Sequence, residues 1–176
     1  MIQLYTGNGK GKTTAALGTA LRAVAKGMRI ALVAFDKGGE GHYSEREIIR
    51  DRIPEITIYV TGLDRIDPVT NKFRFGVTDE DRAEGERGLE IVSKIFRDKS
   101  ADLIIMDEIN SSTSLGIVQE KNVLELLDEK PENVELILTG RDAPESFVRR
   151  ADLVTDMRMV KHYYYQGEEA REGFDY

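Results

Sequence analysis

Thr6-Gly7-Asn8-Gly9-Lys10-Gly11-Lys12-Thr13-Thr14 is the stretch on which the fold turns. It lies between an apolar run, Ile2–Tyr5, that reads as a β-strand and an Ala/Leu-rich stretch, Thr13–Lys26, that reads as a helix stopped by Gly27. Glycine, four residues, then Gly-Lys-Ser/Thr is the phosphate-binding pattern of P-loops. Counting back from Gly11 puts Thr6 at the first glycine's place, with Gly7 one residue late. The spelling is shifted; the context of strand, glycine loop and helix is intact. Glycines accept the positive φ angles that turn successive N–H groups inward to make an anion nest. The helix adds its unpaired first amides and the positive end of its dipole. Lys12 brings a charge to the phosphates, and the Thr13 hydroxyl is placed to ligate Mg²⁺. Two lysines beside three glycines would repel each other without an anion. Gly7, Asn8, Gly9, Lys10, Gly11, Lys12, Thr13 and Thr14 are therefore the predicted triphosphate-binding set.

Outward from that loop, short β-branched runs alternate with longer helical stretches, the pattern of a parallel sheet covered by helices. Arg29–Phe35 (RIALVAF) is nearly continuous apolar sequence, as a strand buried on both faces requires. Thr57–Val60, Leu103–Met106 and Val134–Thr139 read as further strands. Leu153–Val160, with Asp156 and Arg158, reads as a last strand at an exposed sheet edge. Thr78 with Asp81 three residues on resembles a capping box. It opens a helix to about Asp98 with Leu89, Ile91, Val92, Ile95 and Phe96 as its buried stripe. Another helix falls around Val118–Leu127, and a short one is capped by Asp142 with Pro144 in its first turn. The expectation is an α/β fold with a mainly parallel central sheet, residues 1–176 forming one domain. Two loops, Asp36–Tyr43 and Thr61–Val77, follow strands, where open α/β sheets bind ligands. Each is either a ligand-contacting loop or a plain solvent-exposed connection.

Composition narrows the function classes. The 176 residues carry 25 Lys plus Arg against 32 Asp plus Glu, a formal charge of −7, which argues against a nucleic-acid partner. Zero cysteines exclude a disulfide scaffold, a thiolate nucleophile and any Cys-ligated zinc or iron–sulfur site. No apolar run approaches the roughly 20 residues of a membrane helix, and Met1 leads into Ile2-Gln3-Leu4 without a signal-peptide pattern. A soluble cytoplasmic protein without a membrane association is expected.

A second cluster of candidates is Leu103-Ile104-Ile105-Met106-Asp107-Glu108, an apolar strand ending in acids downstream of the phosphate loop. Such a strand places a carboxylate near the magnesium ion. Spacing alone does not choose between Asp107 and Glu108, and in a hydrolase Glu108 would instead orient an attacking water. Arg141 ends a strand at the same sheet edge and either reaches the phosphates or sits at the surface near an N-cap. With only His42 and His162 there is no multi-His metal site, and both read as structural. Tyr163-Tyr164-Tyr165 reads as packing or a subunit interface ahead of ligand stacking.

Taken together, TGNGKGKTTAALG, VAFDKG (Val33–Gly38), IIMDEI (Ile104–Ile109), LTGR (Leu138–Arg141), ADLVTDMRMVKH (Ala151–His162) and the closing Gly173-Phe174-Asp175-Tyr176 resemble the ATP:corrinoid adenosyltransferases of the cobalamin pathway. The resemblance spans nearly the whole chain, in order. It implies a three-layer, RecA-like P-loop fold, usually a homodimer, acting in adenosylcobalamin biosynthesis or salvage. A cob(I) corrinoid, supplied by a reductase, would attack C5′ of ATP and expel inorganic triphosphate. The same resemblance makes Gly7–Thr14 the phosphate ligands and Thr13 and Glu108 the magnesium ligands, with no catalytic acid or base. ATP and a corrinoid are then substrates and Mg²⁺ the cofactor.

Two departures stand out. Many members of that family carry a basic segment ahead of the first strand, whereas this chain begins at it. Members often place aromatic residues after the Thr-Gly of the third strand; here Thr61-Gly62-Leu63-Asp64-Arg65 is followed by no aromatic until Phe73. The competing expectation is a RecA-type ATPase or nucleotide-dependent switch without corrinoid activity.

Overall fold

A computed structural model describes residues 1–39, 43–65 and 74–175. Six strands, β1 (Ile2–Thr6), β2 (Ile30–Ala34), β3 (Ile56–Val60), β4 (Leu103–Asp107), β5 (Glu135–Thr139) and β6 (Leu153–Asp156), form one sheet in the order β3-β2-β4-β5-β1-β6. Every pairing is parallel, so the expected mainly parallel sheet is wholly so among the described residues. In register, Leu4 of β1 lies between Leu138 of β5 and Val154 of β6, and Ala34 of β2 between Val60 of β3 and Asp107 of β4.

Alternation of side chains builds two cores. Leu4, Val33, Ile104, Met106, Leu136 and Leu138 point to one face, against Val92, Ile95 and Phe96 of α3 (Asp79–Asp98) and Val123, Leu126 and Leu127 of α5 (Glu120–Asp128). Tyr5, Leu32, Ile105 and Ile137 point to the other, against Ala16 and Ala20 of α1 (Lys12–Val24) and Ile49 of α2 (Ser44–Arg52). Small alanines let α1 lie close on the sheet, which brings its N-terminus to the carboxyl ends of the central strands. The fold is therefore three-layered α/β, as expected. Every residue of β2 and β4 is buried, the reason both read as unbroken apolar runs.

Several elements differ from expectation. Helix α2 was not anticipated, because SEREIIRDR offers only Ile48 and Ile49 as apolar residues. Helix α4 (Ile109–Ser114), INSSTS, has the composition of a turn, yet tertiary contacts bury Ile109, Asn110, Ser112 and Thr113. Asp142 does not cap the following helix. It takes φ 52°, and Pro144 occupies the N-cap of α6 (Glu145–Arg150). Strand β6 ends at Asp156 rather than Val160, because the chain beyond leaves the sheet for the phosphate loop. His42 and Phe73 lie outside the described residues.

The capping box of α3 is present. Asp81, 1% exposed, accepts from the Thr78 amide at 2.8 Å and hydroxyl at 3.1 Å, and from the Arg74 guanidinium fork at 2.9 and 2.7 Å. Arg74 and the Thr78 donors, outweighing burial, hold the Asp81 carboxyl well below the usual carboxylate range. Its folded pKa thus lies below the roughly 3.9 of an unfolded Asp, so its contribution is complete above that pH and lost as pH falls through it. The unfolding midpoint in denaturant should fall as pH drops below about 4. Asp81→Asn should lower it at neutral pH and flatten that acid-side decline.

Two helical glycines separate propensity from packing. A Cβ at Gly88 would meet the buried Phe35 ring at 2.5 Å, whereas one at exposed Gly18 meets nothing within 4 Å. Gly88→Ala should destabilise by about 1–3 kcal/mol through overpacking. Gly18→Ala should stabilise by about 0.5–1 kcal/mol. Chemical denaturation of the two variants checks the opposite signs.

Candidate active site

The carboxyl ends of β1, β2, β4 and β5 open into one cleft of roughly 1140 Å³ lined by the phosphate loop, Lys37, Glu108, Arg141 and residues of the C-terminal tail. This lies just above the roughly 300–1,000 Å³ of ordinary small-molecule pockets. Of the eight sequence-predicted loop residues, Gly7 to Gly11 lie between β1 and α1 and Lys12 to Thr14 form the first turn of α1; seven, Asn8 to Thr14, line the cleft.

Gly7 and Gly11 take φ angles of 93° and 113°, as an amide nest requires. Gly11 occupies the N-cap of α1, and the first amides of the helix, Lys12 to Thr14, have no acceptor one turn back. Gly9 is glycine for a different reason. Its amide donates to the Met157 carbonyl at 2.6 Å, and an added Cβ would lie 2.4 Å from that oxygen. The Asn8 carboxamide oxygen accepts from the Met159 amide at 3.0 Å. The chain following β6 therefore braces the loop from behind.

Lys12, 7% exposed, folds back to donate to the carbonyls of Gly7 at 2.8 Å and Gly9 at 2.7 Å. Burial lowers its proton affinity, Glu108 opposes that, and Arg141 and Lys37 add to it. A buried ammonium on main-chain oxygens, with two other cations near, is poised to take an anion.

Asp107, 2% exposed, is a junction. Its Oδ1 accepts from the Thr13 hydroxyl at 2.9 Å and the Thr139 hydroxyl at 2.6 Å, and its Oδ2 from Lys37 Nζ at 2.5 Å. Lys37 follows β2. Burial works against its charge, but the Asp107 and Glu108 carboxylates prevail and raise its pKa. Its backbone is held by its amide on the Thr61 carbonyl at 3.2 Å and by Arg46, which donates to the Lys37 carbonyl at 2.7 Å. Sequence reasoning gave Lys37 no role. The signal was present, a lysine two residues beyond a fully buried strand at the sheet's carboxyl edge.

Glu108, next in the chain, has φ 63° at the N-cap of α4, a left-handed conformation that is costly for a non-glycine residue. The turn sends its side chain into the cleft, where Oε2 accepts from the Ser111 hydroxyl at 2.6 Å and Oε1 lies 3.6 Å from Lys37 Nζ. Thr13 Oγ1, Asp107 and Glu108 are the oxygen set that could hold a hard divalent cation. Arg141 lines the cleft from an exposed position, its amide donating to Ser111 Oγ. His162 is local structure, its Nδ1 accepting from the Tyr164 amide.

Lys10 is engaged by the tail. Its ammonium bonds the Tyr163 hydroxyl at 3.3 Å, the Phe174 carbonyl and the Asp175 carboxylate, and Tyr163 donates to that same carboxylate. The Arg171 guanidinium covers the Tyr163 ring at 4.6 Å. Asp175 raises the Lys10 pKa, and Lys10 in turn depresses that of Asp175. Of the tyrosine run, Tyr163 packs as expected, while Tyr164 and Tyr165 stay exposed along the cleft.

A glycine loop between a parallel strand and a helix, its lysine, and a carboxylate at the end of β4 that bonds the loop threonine define a P-loop nucleotide-binding protein. Over residues 1–176 the sequence matches the model of the family ATP:corrinoid adenosyltransferase BtuR/CobO/CobP, and the chain belongs to that family. It is 32% identical to the corrinoid adenosyltransferase of Escherichia coli (strain K12) over 176 residues, covering 100% of this chain and 85% of that protein. A corrinoid adenosyltransferase of Sinorhizobium sp is also 32% identical, over 179 residues and 80% of its length. Corrinoid adenosyltransferase CobA of Salmonella typhimurium is 31% identical over 176 residues, 85% of its length.

The tail contact generates a direct test. Asp175→Asn removes the ionic partner of Lys10 and should free the tail, so trypsin should cut after Lys161 or Arg171 severalfold faster than in the parent. Lys10→Ala should do the same.

Proposed function

We infer that the protein transfers the 5′-deoxyadenosyl group of ATP to the cobalt of a reduced, cob(I) corrinoid, releasing inorganic triphosphate, in the making of adenosylcobalamin. The observation that carries this is the family match over every residue of a chain whose phosphate loop opens into a cleft of roughly 1140 Å³. The electron pair of cob(I) cobalt forms the Co–C5′ bond, the C5′–O bond breaks, and triphosphate leaves with that bonding pair. No proton moves, so no general base is needed.

The chain's part is to bind, orient and stabilise a leaving group that gains charge in the transition state. Gly7, Asn8, Gly9, Lys10, Gly11, Lys12, Thr13 and Thr14 form the proposed binding set. The amides of the first α1 turn are aimed into the cleft, and Lys12 exchanges the Gly7 and Gly9 carbonyls for phosphate oxygen. Gly9 contributes through the loop's shape, since its amide is held by Met157.

The residues present fit Mg²⁺, because a hydroxyl and two carboxylates already converge on a cation, the Lys37 ammonium. Thr13 and Glu108 would hold the metal. Asp107 is buried and occupied by two hydroxyls, so it orients Thr13, whereas Glu108 faces the cleft. When bound there, Mg²⁺ supplies Lewis-acid neutralisation of the triphosphate.

We also propose a homodimer, supported by the exposed Leu153 and Val154 on edge strand β6. A cytoplasmic location and an electron-donating reductase partner complete the reading, with the whole chain acting as one domain. No described helix is long and apolar enough to cross a membrane.

Incubation with ATP, Mg²⁺ and a reduced corrinoid should yield a light-sensitive Co–C product and triphosphate in equal amounts. ADP and phosphate instead would establish a RecA-type ATPase. Lys12→Ala removes a charge-assisted contact of about 1.5–3 kcal/mol. ATP affinity or turnover should then fall at least about tenfold, measured by calorimetry and initial rates.

A further inference from the structure

Among the described residues, Lys37 is the cation of the cleft whose ammonium already occupies the place assigned above to a metal. Its Nζ lies 2.5 Å from Asp107 Oδ2, 3.6 Å from Glu108 Oε1 and 3.5 Å from Thr13 Oγ1. Glu108 Oε1 and Thr13 Oγ1 are the oxygens assigned above to the metal, and Asp107 is the carboxylate that orients Thr13. An ammonium cannot stay between them beside a divalent ion, since like charges that close repel strongly in a desolvated site. The lysine must move before a metal can enter. Its backbone is fixed on both sides, by Thr61 and by the buried Arg46, so only the flexible four-carbon stem can swing. On Asp107 the side chain is only 15% exposed, so an ammonium that leaves this carboxylate needs a new anion. The triphosphate in the adjoining loop supplies one.

We propose that Lys37 is a built-in counter-ion. It closes the Thr13–Asp107–Glu108 site to free divalent metal, then swings onto the triphosphate when nucleotide and metal arrive together. It thus becomes a positioning residue for the leaving group and makes the two ligands enter as one. The charges support this order. Two carboxylates and one ammonium give the site a formal charge of −1, so a divalent metal entering alone would carry it to +1. A polyanion arriving with the metal restores balance and gives the ammonium its second partner. This rests on the metal assignment above, and the experiment separates the two.

Mn²⁺ serves as probe, followed by electron paramagnetic resonance, and inorganic triphosphate stands in for the leaving group. The wild-type protein should bind free Mn²⁺ weakly and bind it firmly with triphosphate present. Lys37→Met should tighten Mn²⁺ binding without triphosphate by at least about tenfold, and weaken metal-free triphosphate binding by a similar factor, the size of one charge-assisted contact. If either affinity stays at the wild-type value, the proposal is overturned. Lys37→Gln, which keeps a neutral hydrogen-bond donor toward Asp107, repeats both titrations should the methionine variant not fold. If the spectrum of Mn²⁺ with triphosphate is unchanged by adding the wild-type protein, or is changed as much by adding Glu108→Gln, the metal assignment fails instead.

Discussion

The Asp107 carboxylate is the constraint on which the site depends. It sits at the end of β4, almost wholly buried, and receives hydrogen bonds from Thr13 at the start of α1, Thr139 at the end of β5 and Lys37 beyond β2. One anion thereby ties the carboxyl ends of three strands to the first turn of the helix that carries the phosphate loop. A buried charge of this kind is tolerated only when fully partnered, and here two of the three partners, Thr13 and Lys37, also line the cleft. Sheet order explains why this is available. With β4 and β5 between β1 and β2, the segments after β1 and β2 face each other across β4 and β5.

What the sequence made legible follows from local rules and strong burial. The phosphate loop, the all-apolar β2 and the Thr78–Asp81 capping box are written in contiguous residues, and each is where the pattern puts it. What escaped depends on partners distant in the chain. The polar α4 is a helix because β5 and the β4 end bury it, which no feature of INSSTS announces. Lys37 gains its place from Asp107, 70 positions on. Gly9 looks like a phosphate-loop glycine, but its requirement comes from Met157. Asp142 has the composition of a cap and not the backbone angle of one.

The C-terminal tail gives the loop a second set of partners. Met157 and Met159 hold its back, and Asp175 and Tyr163 hold Lys10 across its front. Two of the loop's ammonium groups are thus satisfied within the protein, Lys12 by carbonyls and Lys10 by a carboxylate. An anion bound by these lysines as proposed would exchange those partners and not create charge pairing from nothing, so part of the gross attraction would be offset. The arrangement favours a ligand that satisfies several cations together over a single phosphate.

The left-handed turn at Glu108 bears on how this protein would respond to engineering. A glycine or asparagine there would relax the backbone and raise thermal resistance while removing the side chain that faces the cleft. Libraries sorted only by heat tolerance would drift toward that change and enrich sturdy chains that have lost this carboxylate.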